Sequence, residues 1–549
     1  MRTANEFQTQ QVVIFKLHPC IWIRAHAVHI SFQQQLRPGE TPIGIQLSLD
    51  KTHLSVFSGN KSAHPVYQTL ANFSVEERSR PSSGAIVVLA FLPVAKFNSA
   101  VFSSNGEKEN MPGFCAKIIR NKCRSILFQN LKAHRAGSRK GLPMTDSQGH
   151  LCLVVPFLVN WAGDLEELLE LLGLSSNTCL HCMATYHELD GAHICEPRTG
   201  ASILAALASL RQAFPNATSY QFMTLARKQG LIGVEGPWFD GVVDDPCRIM
   251  GVDLLHGVRK FIYDHIVRWV TNLIGEVQLD RRFMIQMHWV GSEVRNFPSG
   301  ISQLKQVQGK EIRAIISQLL CVMAGAEGVR DSHLIAVRAF LDFSMMCSFP
   351  VITEETLRQM DTCLEIWHKE KVSFIQSGAR RSKKGQPMQH FKIPKAHRHN
   401  YITQQIEALG TLKGFDQEAF ETIHINMVKN PYRRSNWRDF EVQILNTIRR
   451  NESLDRFKKF ADSDFGSLHN SDVEDTGGVD KHAVIMEKSM RISDRDHDTP
   501  SRLDSHGAMI DKSLLRSLCL SIAKQAHKRL KTTELAGYYG FQDFVSAMI

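Results

Sequence analysis

The sequence lacks any apolar run of the roughly 20 residues that a bilayer-spanning helix requires. Its most apolar N-terminal stretch, VVIFKLHPCIWI, is interrupted by Lys16, His18 and Pro19 and has no basic leader, which argues against a signal peptide. Twelve cysteines in 549 residues are too few for a disulfide-built scaffold, so we expect mostly reduced thiols. These absences predict an intracellular chain without a membrane anchor.

The composition is that of a folded globular protein. Hydrophobic residues make up 43% and charged residues 22% of the chain, which excludes collagen-like, coiled-coil and wholly disordered classes. The length exceeds the roughly 250–300 residues at which a single core stops growing. We therefore expect at least two structural units, or one domain with a large insertion.

Carboxylates are missing from two strongly basic tracts. Residues 110–145 contain eight Lys or Arg and no Asp or Glu, and residues 371–400 again contain eight. Such tracts favour a polyanionic partner such as double-stranded DNA, because basic side chains displace counterions from phosphates; a solvated basic face is the alternative. The candidate DNA contacts in the tracts are Lys117, Arg120, Arg380, Arg381, Lys383, Lys384 and Lys395.

Apolar periodicity predicts a sheet followed by helices. In IGIQLSLDK, apolar and polar residues alternate up to Asp50, as in a half-buried strand. HPVYQTLANF and GAIVVLAFLPV follow as strands, the latter covered on both faces, and the three predict an antiparallel meander. IIRNKCRSILFQNLKAH has helical spacing, and LCLVVPFLVNWAGD predicts a fourth buried strand that ends at Asp164.

Most of the chain after Asp164 has helical periodicity, including QEAFETIHINMVK behind the second basic tract. Residues 461–513 are rich in Asp, Ser, Gly and His and predict a disordered linker. The predicted organisation is an irregular leader (1–40), the first part of an α/β core (41–175), a mostly helical insertion (176–400), the last part of the core (401–460), the linker (461–513) and a helical segment (514–549).

Four carboxylates fall at positions where this order of elements could assemble a metal site. A strand meander, a helix, a strand ending in Asp and a late helix bearing Glu is the order of ribonuclease-H-like nucleases, in which acids from separate elements hold two divalent cations. Asp50 and Asp164 end strands, and Glu418 and Glu421 lie on the late helix. Spacing of three residues places Glu418, Glu421 and His424 on one helix face.

Several blocks resemble one family throughout residues 47–449. SLDKTHLSVFSGNKSAHPVYQTLANF, GAIVVLAFLPVAKF, VDLLHGVRKFIYDHIVRWV, AVRAFLDF, FKIPKAHRHNYI and QEAFETIHINMVKNPYRRSNWRDF together look like the Plavaka family of fungal DNA transposases, which is related to the CACTA (EnSpm) transposases. The resemblance implies a DDE-type, ribonuclease-H-like catalytic core interrupted by a large all-helical insertion.

The resemblance also implies roles for individual residues. Asp50 would be the first acid, Asp164 or alternatively Asp146 the second, and Glu418, ranked slightly ahead of Glu421, the third. These acids would bind two Mg²⁺ or Mn²⁺ ions. Asp253 and His256, in DLLH, match a DxxH element of such transposases and would orient DNA or support the metal site, with His424 as a further accessory residue.

Each of these residues also has an ordinary structural interpretation. Asp50 could end a strand at a turn, and Asp164 could simply be the N-cap of DLEELLELLG. The glutamates could belong to a solvated helix face. Where the family has a Pro-Glu pair after the second acid this chain reads DLEE, so a degenerate remnant is an open alternative.

A cysteine pair at 179 and 182 forms half of a zinc site. Tetrahedral zinc needs four ligands, and the nearest further candidates are His187, His193 and Cys195, the last two being preferred. After the late helix, Arg433, Arg434, Trp437 and Arg438 could contact phosphates and stack on a base, or merely keep the surface soluble.

Two functions follow as hypotheses. The first is a metal-dependent transposase that cleaves and joins double-stranded DNA, acting at transposon ends and target sites in the nucleus, as a monomer or a homo-oligomer. The alternative is a catalytically inactive, transposon-derived DNA-binding protein that keeps the basic tracts.

Overall fold

A mixed five-stranded sheet forms the N-terminal part of the fold. The computed structural model describes residues 36–55, 61–129, 141–145, 151–192, 194–243, 245–286, 294–305 and 307–468. The strands are β1 (Glu40–Leu49), β2 (Thr52–His53), β3 (Ser62–Ala63), β4 (Pro65–Leu70), β5 (Ile86–Phe91), β6 (Leu142–Thr145) and β7 (Leu151–Ala162). The sheet has the order β5-β4-β1-β7-β6, and β2 and β3 pair as a separate short ribbon.

The centre of the sheet is the parallel pair β1 and β7. β1 is antiparallel to β4, and β4 to β5, which confirms the predicted meander. β7 runs parallel to β1, with Ser48 opposite Ala162 as the last pair. Because parallel strands end at the same edge of a sheet, the residues that follow β1 and β7 emerge side by side.

Two details of the sheet differ from the sequence prediction. The apolar run of β5 predicted a strand covered on both faces, but β5 lies at the sheet edge and Val87 is 38% exposed. The short edge strand β6, antiparallel to β7, lies inside the first basic tract and was not predicted, because LPMT has no alternating pattern. Apolar content alone does not distinguish an edge strand from a central one.

Helices make up the rest of the described chain. They are α1 (Val75–Ser79), α2 (Asn105–Leu127), α3 (Leu165–Leu172), α4 (Gly200–Ala213), α5 (Ser219–Lys228), α6 (Arg268–Ile274), α7 (Glu276–Met284), α8 (Gly309–Met323), α9 (Asp331–Met346), α10 (Glu354–Glu370), α11 (Ser373–Gln376), α12 (Pro394–Arg398), α13 (Ile402–Leu409), α14 (Gln417–His424), α15 (Asn430–Arg433) and α16 (Phe440–Leu468). Three π-helical segments, Leu254–Arg259, Ile262–Val267 and Ile425–Lys429, adjoin helices of this set.

The helices from α6 to α14 pack around a large aromatic core. Trp269 stacks on Trp367 with ring centroids 6.2 Å apart, and Phe261 and Phe340 lie against the same group. Tyr67 of β4 belongs to this core and lies 6.1 Å from the ring of Phe420 in α14. Burial of these rings therefore returns α14 to the sheet, although Tyr67 and Phe420 are about 350 residues apart along the chain.

A second core joins the sheet to α3–α5. Trp161 at the end of β7 lies 4.8 Å from Trp238 and 5.2 Å from Phe128, ring centroid to ring centroid. The described helices include none that is long and apolar enough to cross a bilayer. α16 extends to Leu468, past the point at which the linker was predicted to begin; the remaining linker, the C-terminal segment and residues 1–35 lie outside the described residues.

Candidate active site at the ends of β1 and β7

Two aspartates emerge from the central parallel strands at the same sheet edge. Asp50 follows β1 and Asp164 follows β7, each two residues beyond the last pair of the register. Burial raises the pKa of Asp164, and the negative charges of Glu167 and Asp50 add to that rise. Asp50 is thus close enough to Asp164 to affect the ionisation of that carboxyl.

Asp164 is also the N-cap of α3. Its backbone is extended, and Oδ1 accepts a hydrogen bond of 2.9 Å from the backbone N–H of Glu167. The helix ends at Gly173, whose φ of 72° gives the left-handed C-cap that glycine favours. Capping and metal binding are compatible roles, because the cap hydrogen bond engages one carboxylate oxygen.

His424 at the end of α14 links the late helix to Asp50. Its Nε2 lies 2.8 Å from Asp50 Oδ2, and its Nδ1 lies 2.7 Å from the hydroxyl of Tyr67. Burial and the charge of Asp50 raise the pKa of Tyr67 well above its ordinary value. The phenol therefore keeps its proton and can donate a hydrogen bond to Nδ1. The His424 ring thus spans the Tyr67 hydroxyl and Asp50 Oδ2 and fixes the orientation of that carboxylate.

A second histidine bridges the helical region and α14. His256 Nδ1 donates to Asp253 Oδ2 over 2.8 Å, and Nε2 donates to Glu421 Oε1 over 3.0 Å. Burial opposes its protonation, but these two hydrogen bonds raise the pKa of His256 to about 10. His256 is therefore an imidazolium at neutral pH, and its charge offsets part of the rise that burial causes in the pKa of Asp164.

Asp253 organises the start of two helices. Its carboxylate accepts hydrogen bonds from the backbone N–H groups of Leu255 (3.2 Å) and His256 (2.5 Å), and from that of Gln417 (2.9 Å). Burial opposes ionisation, but the hydrogen bond from His256, together with the other donors, lowers the pKa of Asp253 to about 2. The predicted DxxH pair thus holds the π-helical segment against the first turn of α14.

The two candidate third acids have different surroundings. Glu418 pairs with Arg313, whose Nη1 lies 2.7 Å from both carboxylate oxygens, and with Arg259 at 3.6 Å. Glu421, one turn later, contacts His256, the residue whose charge reaches Asp164. Glu421 is therefore linked to Asp253 through His256, whereas Glu418 is paired with two arginines.

Asp416 is a buried acid that sequence reasoning missed. Burial and the charge of Asp253 raise its pKa well above the ordinary value, and it shares a hydrogen bond with Asp253. As the N-cap of α14 it accepts a 3.4 Å hydrogen bond from the backbone N–H of Glu418. An Asp before QEAF is a recognisable N-cap signal, but its contact with Asp253 depends on the tertiary fold.

The donor chemistry at this edge suits a hard divalent cation. Asp50, Asp164 and Glu421 supply carboxylate oxygens, the ligands that Mg²⁺ and Mn²⁺ prefer. Within the described residues, however, these three are not a set whose ligand atoms all lie within 4.8 Å of one another. Asp50 and Glu421 are instead held by His424 and His256. Asp146, the alternative second acid, lies outside the described residues.

Some predicted DNA contacts are engaged inside the protein. Arg120 forms a two-pronged ion pair with Glu170 at 2.6 Å, and Lys117 is half-buried beside the same carboxylate. Arg380 is buried and lies 5.4 Å above the ring of Trp269. These three side chains stabilise packing in the structure.

Other predicted DNA contacts are exposed. Arg381, Lys383 and Lys384 are exposed in and beside a turn, as are Arg433, Arg434, Trp437 and Arg438 after α15. Trp437 is 57% exposed, and its φ of 65° is unusual for a residue with a side chain. Lys395 is half-buried; burial lowers its pKa, and Asp264 and Asp164 partly offset this, so it lies near the second aspartate.

The predicted zinc half-site gains a residue that sequence spacing did not indicate. Cys179 and Cys182 lie with His397 of α12 in one buried group. Cys195 packs against this group, whereas His193 lies outside the described residues. Nδ1 of His187 contacts Lys392 Nζ at 3.2 Å.

Comparison with known proteins supports the transposase class. The family model described as Plavaka transposase matches residues 2–270, just under half of the chain. This region is similar to Plavaka transposases, contains Asp50, Asp164, Asp253 and His256, and ends before α14. No curated protein matches the chain. A Plavaka-type, transposase-related function is thus supported.

Proposed function

We propose that the chain is a DDE-type DNA transposase with a ribonuclease-H-like core and a large helical insertion, acting on double-stranded DNA in the nucleus. The observation that carries the proposal is the placement of Asp50 and Asp164 at adjacent ends of β1 and β7, with α14 returning to that edge. A three-strand meander followed by a helix and a strand parallel to the first supports this core.

We assign Asp50, Asp164 and Glu421 as the acids. We rank Glu421 ahead of Glu418, because two arginines pair with Glu418 whereas Glu421 contacts His256, whose charge acts on Asp164. When bound, Mg²⁺ or Mn²⁺ ions supply Lewis-acid activation of water or a 3′-hydroxyl and stabilise the leaving oxygen. His424 positions Asp50, and His256 balances the negative charge of Asp164 and Glu421.

Two exposed basic segments provide a DNA-binding surface. Arg433 and Arg434 lie nine and ten residues after His424 along a nearly continuous helical path, or roughly 13–15 Å at 1.5 Å per residue. Trp437, which lies between Arg434 and Arg438 in the sequence, offers an exposed ring on which a base could stack. Phosphates bound at this patch would extend toward the acid cluster.

The experiment is a nicking assay on supercoiled DNA with Mg²⁺ or Mn²⁺. Glu421→Gln is expected to reduce cleavage by more than about 100-fold, whereas its matched control Glu418→Gln, on the same helix face, should reduce it by less than about 10-fold. His424→Asn removes a residue that acts through Asp50, and outer-shell losses of this kind cost about 10–100-fold. Equal losses for both glutamates would contradict the assignment.

The engagement of the acids by histidine and arginine side chains favours one second candidate, a catalytically inactive DNA-binding protein. Asp50, Glu418 and Glu421 each contact a histidine or an arginine, so the network could serve stability alone. Salt-sensitive DNA binding by the wild type, with no metal-dependent nicking, would establish this candidate in place of the enzyme.

A further inference from the structure

A buried sulfur and nitrogen cluster lies apart from the carboxylates at the strand ends. The Sγ atoms of Cys179 and Cys182 and a ring nitrogen of His397 all lie within 4.8 Å of one another. Cys182 Sγ is 3.3 Å from His397 Nε2, although 215 residues separate them in sequence. All three side chains are at most 1% exposed. Donors this close to each other could share one ion without rearrangement of the backbone.

The loop that carries the two cysteines is built to present sulfur. The backbone N–H of His181 donates to Cys179 Sγ at 3.4 Å, and that of Cys182 approaches the same atom. The backbone N–H of Ala184 donates to Cys182 Sγ. N–H groups directed at a sulfur stabilise its thiolate form, which is the form that binds metals.

A short hairpin pairs residues 181–183 of this loop with residues 196–198. Met183 N donates to Glu196 O (2.8 Å) and Arg198 N to His181 O (2.9 Å), while Cys182 and Pro197 form an isolated antiparallel bridge. The buried Arg198 side chain also donates from Nε to the carbonyl oxygens of Cys179 (2.9 Å) and Cys182 (3.2 Å). The cysteines are therefore held in place by contacts outside the cluster itself.

The hairpin also supplies a fourth donor. Cys195 lies two residues before the bridge at Pro197, packs against the cluster, and its thiol is within hydrogen-bonding range of Cys182. Its sulfur lies outside the group whose donor atoms are all within 4.8 Å of one another, so Cys195 would approach the ion to complete a Cys₃His ligand set.

We propose that Cys179, Cys182, Cys195 and His397 bind one structural Zn²⁺ ion. Sulfur and imidazole donors select zinc over Mg²⁺, and the burial of Cys179, Cys182 and His397 favours a structural ion over one that binds substrate. Relative to the ligands predicted from spacing, His397 takes the place of His193. The proposal does not depend on the transposase assignment, because its four ligands are distinct from the assigned acids Asp50, Asp164 and Glu421.

Zinc at this position would connect the second basic tract, residues 371–400, to the loop that carries Cys179 and Cys182. His397 lies in α12 between Lys395, which is near Asp164, and Arg398, whose buried guanidinium donates to the carbonyl oxygen of Gly251 at 3.3 Å. The ion would join the loop at 179–182 to this segment.

The first test is the metal content of the full-length protein, purified without chelator or added metal. We expect about one Zn²⁺ per chain by elemental analysis. Replacement by Co²⁺ should give the absorption of a tetrahedral site with sulfur-to-cobalt charge transfer. Absence of zinc, both as purified and after incubation with ZnCl₂ under reducing conditions, would overturn the proposal, as would a disulfide between Cys179 and Cys182.

The second test uses single substitutions. Cys182→Ser and His397→Ala should each lose the bound zinc, and Cys195→Ser should weaken binding by at least tenfold in competition with a chromophoric chelator. Cys347→Ala is the matched control, because Cys347 is also fully buried but lies in the aromatic core, and it should keep one zinc. Zinc retained at wild-type affinity by the Cys182 and Cys195 variants would refute the assigned ligands. His397→Cys, which restores four donors, should regain binding if loss reflects ligation and not misfolding.

Discussion

Substitution of His256 should destabilise the protein in a pH-dependent way. The pKa of His256 is about 10 in the fold, against an ordinary value near 6.5, which corresponds to roughly 5 kcal/mol if fully realised. The His256 side chain is 20% exposed, and its two hydrogen bonds share one charge. We therefore expect His256 to contribute about 2–3 kcal/mol to the free energy of unfolding, which is typical of charge-assisted hydrogen bonds.

The sign follows from a folded-state pKa above the unfolded one. The contribution is complete below about pH 6.5 and disappears as the pH rises through about 10. In urea unfolding, His256→Gln should therefore lose about 2–3 kcal/mol near pH 6 and almost nothing near pH 10. The assay is the free energy of unfolding of both proteins at intervals across this range, without added divalent metal.

His333→Gln is the control for this experiment. His333 is buried and hydrogen-bonded to the carbonyl oxygen of Ser373, and burial lowers its pKa, so it is neutral above about pH 7 whether folded or unfolded. The loss of unfolding free energy caused by His333→Gln should therefore stay constant from pH 7 to 10. A constant cost for His256→Gln over the same range would refute the inferred imidazolium and its bridge to Glu421.

Three further predictions concern stability and binding. Although burial opposes ionisation of Glu167, His64 and Arg124 lower the pKa of this carboxyl to about 2. In acid unfolding, the loss of stability caused by Glu167→Gln should therefore be complete above about pH 4.5 and vanish as the pH falls through about 2. Trp269→Ala should cost about 3–5 kcal/mol in urea unfolding, because the ring is buried in the aromatic core. Replacing both Lys383 and Lys384 by Ala should reduce the slope of log affinity for DNA against log salt by about 2.

Each of these has a matched control. Glu355→Gln changes an exposed carboxylate paired only with its own helix, and should give no acid-dependent difference. Trp437→Ala removes an exposed ring and should leave stability within about 0.5 kcal/mol. Alanine at the exposed Lys305 and Lys310 should leave the salt slope unchanged; an equal decrease would show that the slope reports net charge only.

Local pattern predicted the elements that carry Asp50 and Asp164. Alternation up to Leu49 and the apolar run of β7 are properties of short segments, and both strands form at those positions. The N-cap interpretation of Asp164 was equally local, and the structure shows the cap hydrogen bond. Short-range periodicity thus places the candidate acids on elements, although it does not state what they bind.

Long-range partners could not be read from the sequence. His397 joins two cysteines more than 200 residues away, and no spacing rule links them. Glu418 and Glu421 occupy one helix face, so only their tertiary partners, Arg313 and His256, distinguish them. Arg120 looks like a DNA contact by charge, yet it pairs with Glu170 of α3, because charge composition does not indicate which face of a helix is buried.

The most direct test of the central claim is metal-dependent cleavage of supercoiled DNA by the wild type, Asp50→Asn and Asp164→Asn. Asparagine caps a helix about as well as aspartate, so Asp164→Asn removes charge while α3 keeps its cap. We predict that the wild type nicks DNA with Mg²⁺ or Mn²⁺ and that neither variant does so detectably. Both variants should still bind DNA and keep their zinc. Wild-type cleavage rates in both variants would contradict it.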